Sequence, residues 1–112
     1  MLRIVIIDDE AHIRDSLVKL LAKYCPDATV AGTASGVASG IKLIREVRPD
    51  LLLLDIQMTD GTGFDLLQGI PDVECKVIFV TAYDQYAVQA FRCAAVDYLP
   101  KPVNPEHLAA AI

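Results

Sequence analysis

The sequence predicts an α/β domain: an open, doubly wound parallel sheet with helices on both faces. Three observations lead there. Short apolar runs alternate with amphipathic stretches five times along 112 residues. The runs show no polar alternation, as in strands buried on both faces. The stretches between them repeat apolar residues at a period near 3.6, the mark of a helix with one inward face. Strand and helix alternating in this way favour a parallel sheet with right-handed crossovers. The length suits a single domain.

The first strand is "RIVII", residues 3 to 7, rich in β-branched residues. The first helix follows, with Ile13, Leu17, Leu20, Leu21 and Tyr24 on one face, and Pro26 and Asp27 end it. "TVAGTA" (29 to 34) has less bulk and a glycine, which places it at an edge of the sheet. Residues 36 to 47 form the second helix, with Val37, Ile41 and Ile44 inward, and Pro49 closes it. "LLLL" (51 to 54) is the third strand. The turn-rich "DIQMTDGTG" and a short helix, "FDLLQGI", come next. "KVIFV" (76 to 80) is the fourth strand. A fourth helix is expected from about Asp84 to Arg92, lined by Tyr83, Ala87, Ala90 and Phe91. "VDYL" (96 to 99) is the fifth strand. Asn104 then caps a last helix that has Pro105 at its first position.

Composition narrows the function. Apolar residues make up 54% of the chain, enough for a real core, and the net charge is −5. Such an acidic domain is poorly suited to grip nucleic acid or an anionic membrane by itself. No stretch of eighteen unbroken apolar residues occurs, so no span across a bilayer is expected. The start, "MLRIVIIDDE", is too short and too acidic for a secretory signal and reads as the true start of a cytoplasmic protein. Cys25, Cys75 and Cys93 are odd in number and far apart, as free thiols in a reducing compartment would be. His12 and His107 lack metal-ligand spacing.

In a sheet of this kind ligands bind beyond the carboxyl ends of the strands. Asp8 and Asp9 follow the first strand, Asp55 the third, Thr81 the fourth and Lys101 the fifth. Three carboxylates about 5 Å apart repel by roughly 3 kcal/mol per pair at an effective dielectric near 20. A cation among them removes that cost. Few, hard oxygen ligands suit Mg²⁺, which keeps several waters and shares phosphate oxygens. Lys101 adds a positive point charge and Thr81 a hydroxyl donor. Together these groups describe a site for a tetrahedral anion, with Asp55 as nucleophile toward phosphorus.

The motifs "VIIDDE" (5 to 10), "LLLLDIQM" (51 to 58) with Gly63 following, "VIFVTAYD" (77 to 84) and "DYLPKP" (97 to 102) resemble those of the receiver domain of two-component response regulators. The resemblance runs through the whole chain, 1 to 112, in order. The stretch "TAYDQYAVQAFRCAAVDYLPKPV" is further similar to receivers whose partner is a LytTR-type DNA-binding domain. The resemblance implies a flavodoxin-like (CheY-like) sheet of five parallel strands in the order 2-1-3-4-5. It implies that Asp55 accepts a phosphoryl group from a phosphohistidine of a sensor histidine kinase. Asp9 would bind Mg²⁺ directly, Asp8 would help through water, and Asp55 and the backbone carbonyl of Gln57 would complete the metal ligands. Lys101 and Thr81 would hold the phosphoryl oxygens, and Tyr98 would turn inward as Thr81 moves. The Lys101–Pro102 bond would be cis. The reporting surface, and a possible homodimer contact, would be the fourth helix, fifth strand and fifth helix. Any C-terminal output domain, with transcription as its target, would lie outside this chain. Thr59 departs from the pattern, since many members have proline there.

Rival readings fit less well. Asp8 and Asp9 could merely cap the first helix, but two acids followed by Glu10 exceed what a cap needs. An FMN binder would want a Ser/Thr/Gly-rich loop after the first strand, where this chain has "DDEAH". No G-x-x-x-x-G-K-[ST] occurs, as a nucleotide hydrolase would need. A dehalogenase-type phosphatase would place a second Asp where Gln57 stands. A receiver-like module that never takes phosphate and acts only by docking is the alternative to a phosphorylated switch. In neither case is the domain expected to be a turnover enzyme.

Overall fold

A computed structural model of the chain describes residues 1–82 and 97–112. The expected fourth helix, with Tyr83, Ala87, Ala90 and Phe91, lies outside the described residues, as do Cys93 and Val96. The described strands are β1 (Leu2–Ile7), β2 (Ala28–Ala34), β3 (Leu51–Leu54), β4 (Lys76–Thr81) and β5 (Asp97–Pro100). They form one parallel sheet in the order β2-β1-β3-β4-β5, the expected order, with β2 at an edge. Helices α1 (Ala11–Tyr24), α2 (Val37–Val47) and α3 (Gly63–Gln68), and a C-terminal helix, Pro105–Ala111, complete the described elements.

The sheet divides the core in two because successive strand side chains point to opposite faces. On one face Val5, Ile7, Leu52, Leu54, Val77 and Phe79 pack with Ile44 of α2 and Phe64 and Leu66 of α3. On the other, Ile4, Ile6, Leu51, Leu53 and Ile78 pack with Leu17 and Leu21 of α1 and Leu108 of the C-terminal helix. All four leucines of β3 are buried, which is why that strand reads as an unbroken apolar run.

Helix ends follow local chemistry. Asn104 Oδ1 accepts the backbone N–H groups of Glu106 and His107, with Pro105 at the first position. Thr62 caps α3: its Oγ1 accepts the Asp65 N–H, and Asp65 Oδ2 accepts the Thr62 N–H. Arg48, at the end of α2, sits at φ 53° in the left-handed region. Its guanidine neighbour in the chain, Arg45, instead reaches across to Asp72 and to the Gly69 carbonyl.

Two local expectations change. Tyr24 was expected on the inward face of α1, but it is the last residue of that helix and is 42% exposed. There its ring takes Lys23 Nζ at 5.3 Å from its centroid. The loop after β3 is not a bare turn: Gln57–Met58 and Gly61–Thr62 form a small antiparallel ladder.

Candidate functional site

Register brings the polar residues together. β1 pairs with β3 through Ile7↔Leu54, so the next residues, Asp8 and Asp55, leave the sheet side by side. The ladder runs one step further, with the Asp55 N–H donating to the Ile7 carbonyl at 2.9 Å. β3 pairs with β4 through Leu54↔Phe79, which leaves Thr81 two residues beyond, at the end of its strand. β4 pairs with β5 through Thr81↔Pro100, and the next N–H, of Lys101, donates to the Thr81 carbonyl at 3.0 Å. The Lys101–Pro102 bond is cis.

Carboxylate oxygens of Asp8, Asp9 and Asp55 lie within 4.8 Å of one another. Asp8 and Asp55 are buried, and Asp9 is half-buried. Lys101 Nζ stands between the two buried acids, 2.8 Å from Asp8 Oδ2 and 3.1 Å from Asp55 Oδ2. Its side chain is only 10% exposed. Glu10 Oε1 is 3.7 Å from the same nitrogen. Thr81 is buried at the rim. A cleft of about 200 Å³ opens among Asp9, Asp55, Gln57, Thr59, Ala82 and Lys101. A larger hollow, about 450 Å³, lies at the opposite end of the sheet near Leu2, Cys25 and Ala28, away from the acids.

The helix-cap account of the first acids fails. The N-cap of α1 is Glu10, and its side chain caps nothing. Asp8 Oδ1 instead accepts the Glu10 N–H at 2.9 Å, and Arg14 Nη1 donates to the Asp8 carbonyl at 2.6 Å. The second oxygen of Asp8, Oδ2, faces Lys101 Nζ.

Electrostatics mark the site as strained in charge. Burial, and then the charge of Asp8, push the Asp55 carboxyl above its ordinary value, against the pull of Lys101 and the Ile56 N–H. The Ile56 N–H donates to Asp55 Oδ1 at 2.7 Å. Burial opposes the charge of Lys101, but Asp8 and Asp55 outweigh it and hold that amine above its ordinary value. Among the described residues, buried Asp8 Oδ2 receives no well-directed hydrogen bond, and Lys101 Nζ is its ion-pair partner. A buried, under-satisfied carboxylate oxygen beside two further acids is the donor set of a hard divalent cation. Asp8, Asp9 and Asp55 therefore fit a hard divalent cation, and Gln57 lines the cleft beside Asp9 and Asp55.

Gly63 shapes the floor. A Cβ there would stand 2.5 Å from the Asp55 carbonyl oxygen, so the close approach of the α3 start to Asp55 needs glycine. Tyr98 is half-buried on β5, its ring 6.4 Å from that of Phe79 and tilted by 49°. Sequence reasoning gave Glu10 no place at Lys101 and passed over Arg14. A charge one turn into the helix after a Asp-Asp pair was the available signal for Arg14.

Comparison with known proteins agrees with this geometry. Residues 4–112 match the family model described as response regulator receiver domain. A response regulatory protein of Vibrio vulnificus (strain CMCP6) is 50% identical over 109 residues, 96% of this chain and 45% of that protein. Sensory transduction protein LytT of Bacillus subtilis (strain 168) is 38% identical over 110 residues, 96% of this chain and 45% of that protein. The chain thus spans less than half the length of these relatives. Among solved structures, a DNA-binding response regulator of the LuxR family from Staphylococcus aureus superposes with a TM-score of 0.89 at 26% identity. That match covers 99% of this chain and 95% of the other.

Proposed function

Because this chain belongs to the response regulator receiver domain family, we propose that it is a phosphorylation-operated switch whose phosphoacceptor is Asp55. The observation that carries the reading is the placement of Lys101 Nζ between Asp8 Oδ2 and Asp55 Oδ2, beside a third acid, at one rim of the sheet.

The donor is a phosphohistidine on a sensor histidine kinase. An Asp55 carboxylate oxygen forms the bond to phosphorus as the donor P–N bond breaks, and the electron pair leaves with the imidazole nitrogen. Asp8, Asp9 and Asp55, with the Gln57 carbonyl, would hold Mg²⁺. When bound, that ion offsets the charge of the acids and of the incoming phosphoryl oxygens. Lys101 is already poised at Asp55 and follows the new charge onto the phosphoryl group. Thr81 offers its hydroxyl from the neighbouring strand end.

Phosphorylation shifts a two-state equilibrium rather than driving turnover of a free substrate. Thr81 and Tyr98 are the switch residues, and the surface around β5 and the C-terminal helix reports the state, with a homodimer as one means of doing so. Similarity to LytTR-type receivers supports transcription as the output. Among the described residues no helix is long and apolar enough to cross a membrane, in keeping with a cytoplasmic setting. A docking-only module is the second reading, and the complete acid and lysine set argues against it.

Incubation with acetyl phosphate and Mg²⁺ separates the two. The switch gains one acid-labile phosphoryl group by intact mass. A docking module keeps its mass unchanged.

A further inference from the structure

We propose that Asp60 is a positioning residue for the acid cleft: it ties the turn that follows Asp55 to the N-terminus of α2 and so holds the Gln57 backbone at the metal. This rests on the Mg²⁺ reading above.

The turn runs between the two short paired segments, with Gln57 opposite Thr62 and Met58 opposite Gly61. Its base is closed where the Gly63 N–H donates to the Ile56 carbonyl at 2.8 Å. Its far side is closed by the Thr62 cap of α3. Asp60 sits at the tip and reaches a different element. Asp60 Oδ1 accepts the Val37 N–H at 2.8 Å, and Oδ2 accepts the Ala38 N–H at 3.1 Å. These are the first two residues of α2, whose N–H groups have no partner within the helix. Both carboxylate oxygens are thus committed to another helix.

The approach is close. A Cβ on Gly36 would stand 2.7 Å from Asp60 Oδ1. Gly36 itself is extended, at φ −159°, which any residue adopts, so room for Asp60 is what the glycine provides. The N–H donors from α2 also hold the Asp60 carboxyl below its ordinary value, as a fixed bidentate contact would. Gln57 and Thr59, on the same turn, line the acid cleft. A clamp at the tip therefore sets where the Gln57 carbonyl points. A free tip would let the short ladder sway against the carboxylates.

A role confined to capping α2 would affect stability and nothing else. Titration with MgCl₂ alone, followed by calorimetry, distinguishes the two. Asp60 is exposed, so Asp60→Ala is expected to fold, with circular dichroism as the check. Asp60→Ala is expected to weaken Mg²⁺ binding about tenfold, the usual effect of losing a support of metal ligands. Gly36→Ala pushes the carboxylate away without changing charge and should weaken binding in the same direction. The double variant should bind no more weakly than Asp60→Ala, because both changes break one contact. Unchanged Mg²⁺ affinity in both single variants, with faster amide exchange at Val37 and Ala38, would reduce Asp60 to a helix cap and overturn the proposal. Loss in Asp60→Ala but not in Gly36→Ala would make it an effect of charge alone and overturn it equally. If the wild-type chain binds no Mg²⁺, the metal reading falls first and this one with it.

Discussion

Lys101 Nζ lies 3.1 Å from Asp55 Oδ2, although 46 positions of sequence separate the two residues. The same ammonium is 2.8 Å from Asp8 Oδ2. One cation bridges two buried acids that arrive from different strands, and the contact closes the far side of the site on β5.

Removing that cation leaves two buried carboxylates facing each other. Lys101→Met should therefore lower the stability of the metal-free protein by roughly 3 kcal/mol, as when a buried pair loses one partner. Urea unfolding in EDTA measures this. MgCl₂ should restore part of the loss, because it returns positive charge to the same oxygens. Equal stability of variant and wild type in EDTA would mean that the bridge contributes nothing.

Asp55 has the opposite sign. Its folded-state carboxyl is raised, by burial first and Asp8 second. A raised acid contributes stability below its unfolded value, near 3.8, and loses it as pH rises through the folded value. Ionisation of Asp55 therefore strains the metal-free fold. Asp55→Asn, which stays neutral, should melt higher than wild type in EDTA at pH 7. The gap should close toward pH 3.8, where the wild-type residue also takes up its proton. A variant that melts lower at pH 7 would show that the Lys101 contact outweighs burial.

Gly63→Ala should act through backbone contact. Its Cβ would meet the Asp55 carbonyl oxygen at 2.5 Å, and a backbone atom cannot rotate away. A cost of about 2 kcal/mol is expected, the usual scale for overpacking. Gly32→Ala is the control. The nearest atoms to its Cβ would be Leu43 side-chain atoms, at 3.0 Å or more, which can give way. Urea midpoints that fall alike for the two variants would contradict this account.

The core of this site was legible because Asp8 and Asp55 follow directly on apolar runs, and Lys101 comes two residues after the "VDYL" strand. Where a buried strand ends is set by where its apolar residues end, and parallel register does the rest. Thr81 was read as the residue after β4 and is its last, a shift of one position. Helical periodicity placed Tyr24 inward, yet periodicity holds no information on where a helix outruns the sheet it covers. The clamp by Asp60 was not legible. An acid in an Asp-Gly pair reads as a turn former, and its real partners, Val37 and Ala38, lie 23 and 22 positions away. The small ladder around it is two residues a side, too short to show any period.

The most direct test of the phosphoacceptor reading is to map the phosphoryl group after incubation with acetyl phosphate, with Mg²⁺ or with EDTA. Borohydride reduction followed by peptide mass analysis locates it. The account predicts modification at Asp55 alone, in Mg²⁺ and not in EDTA, and none in Asp55→Asn. Label on another residue, or equal label without Mg²⁺, would contradict it.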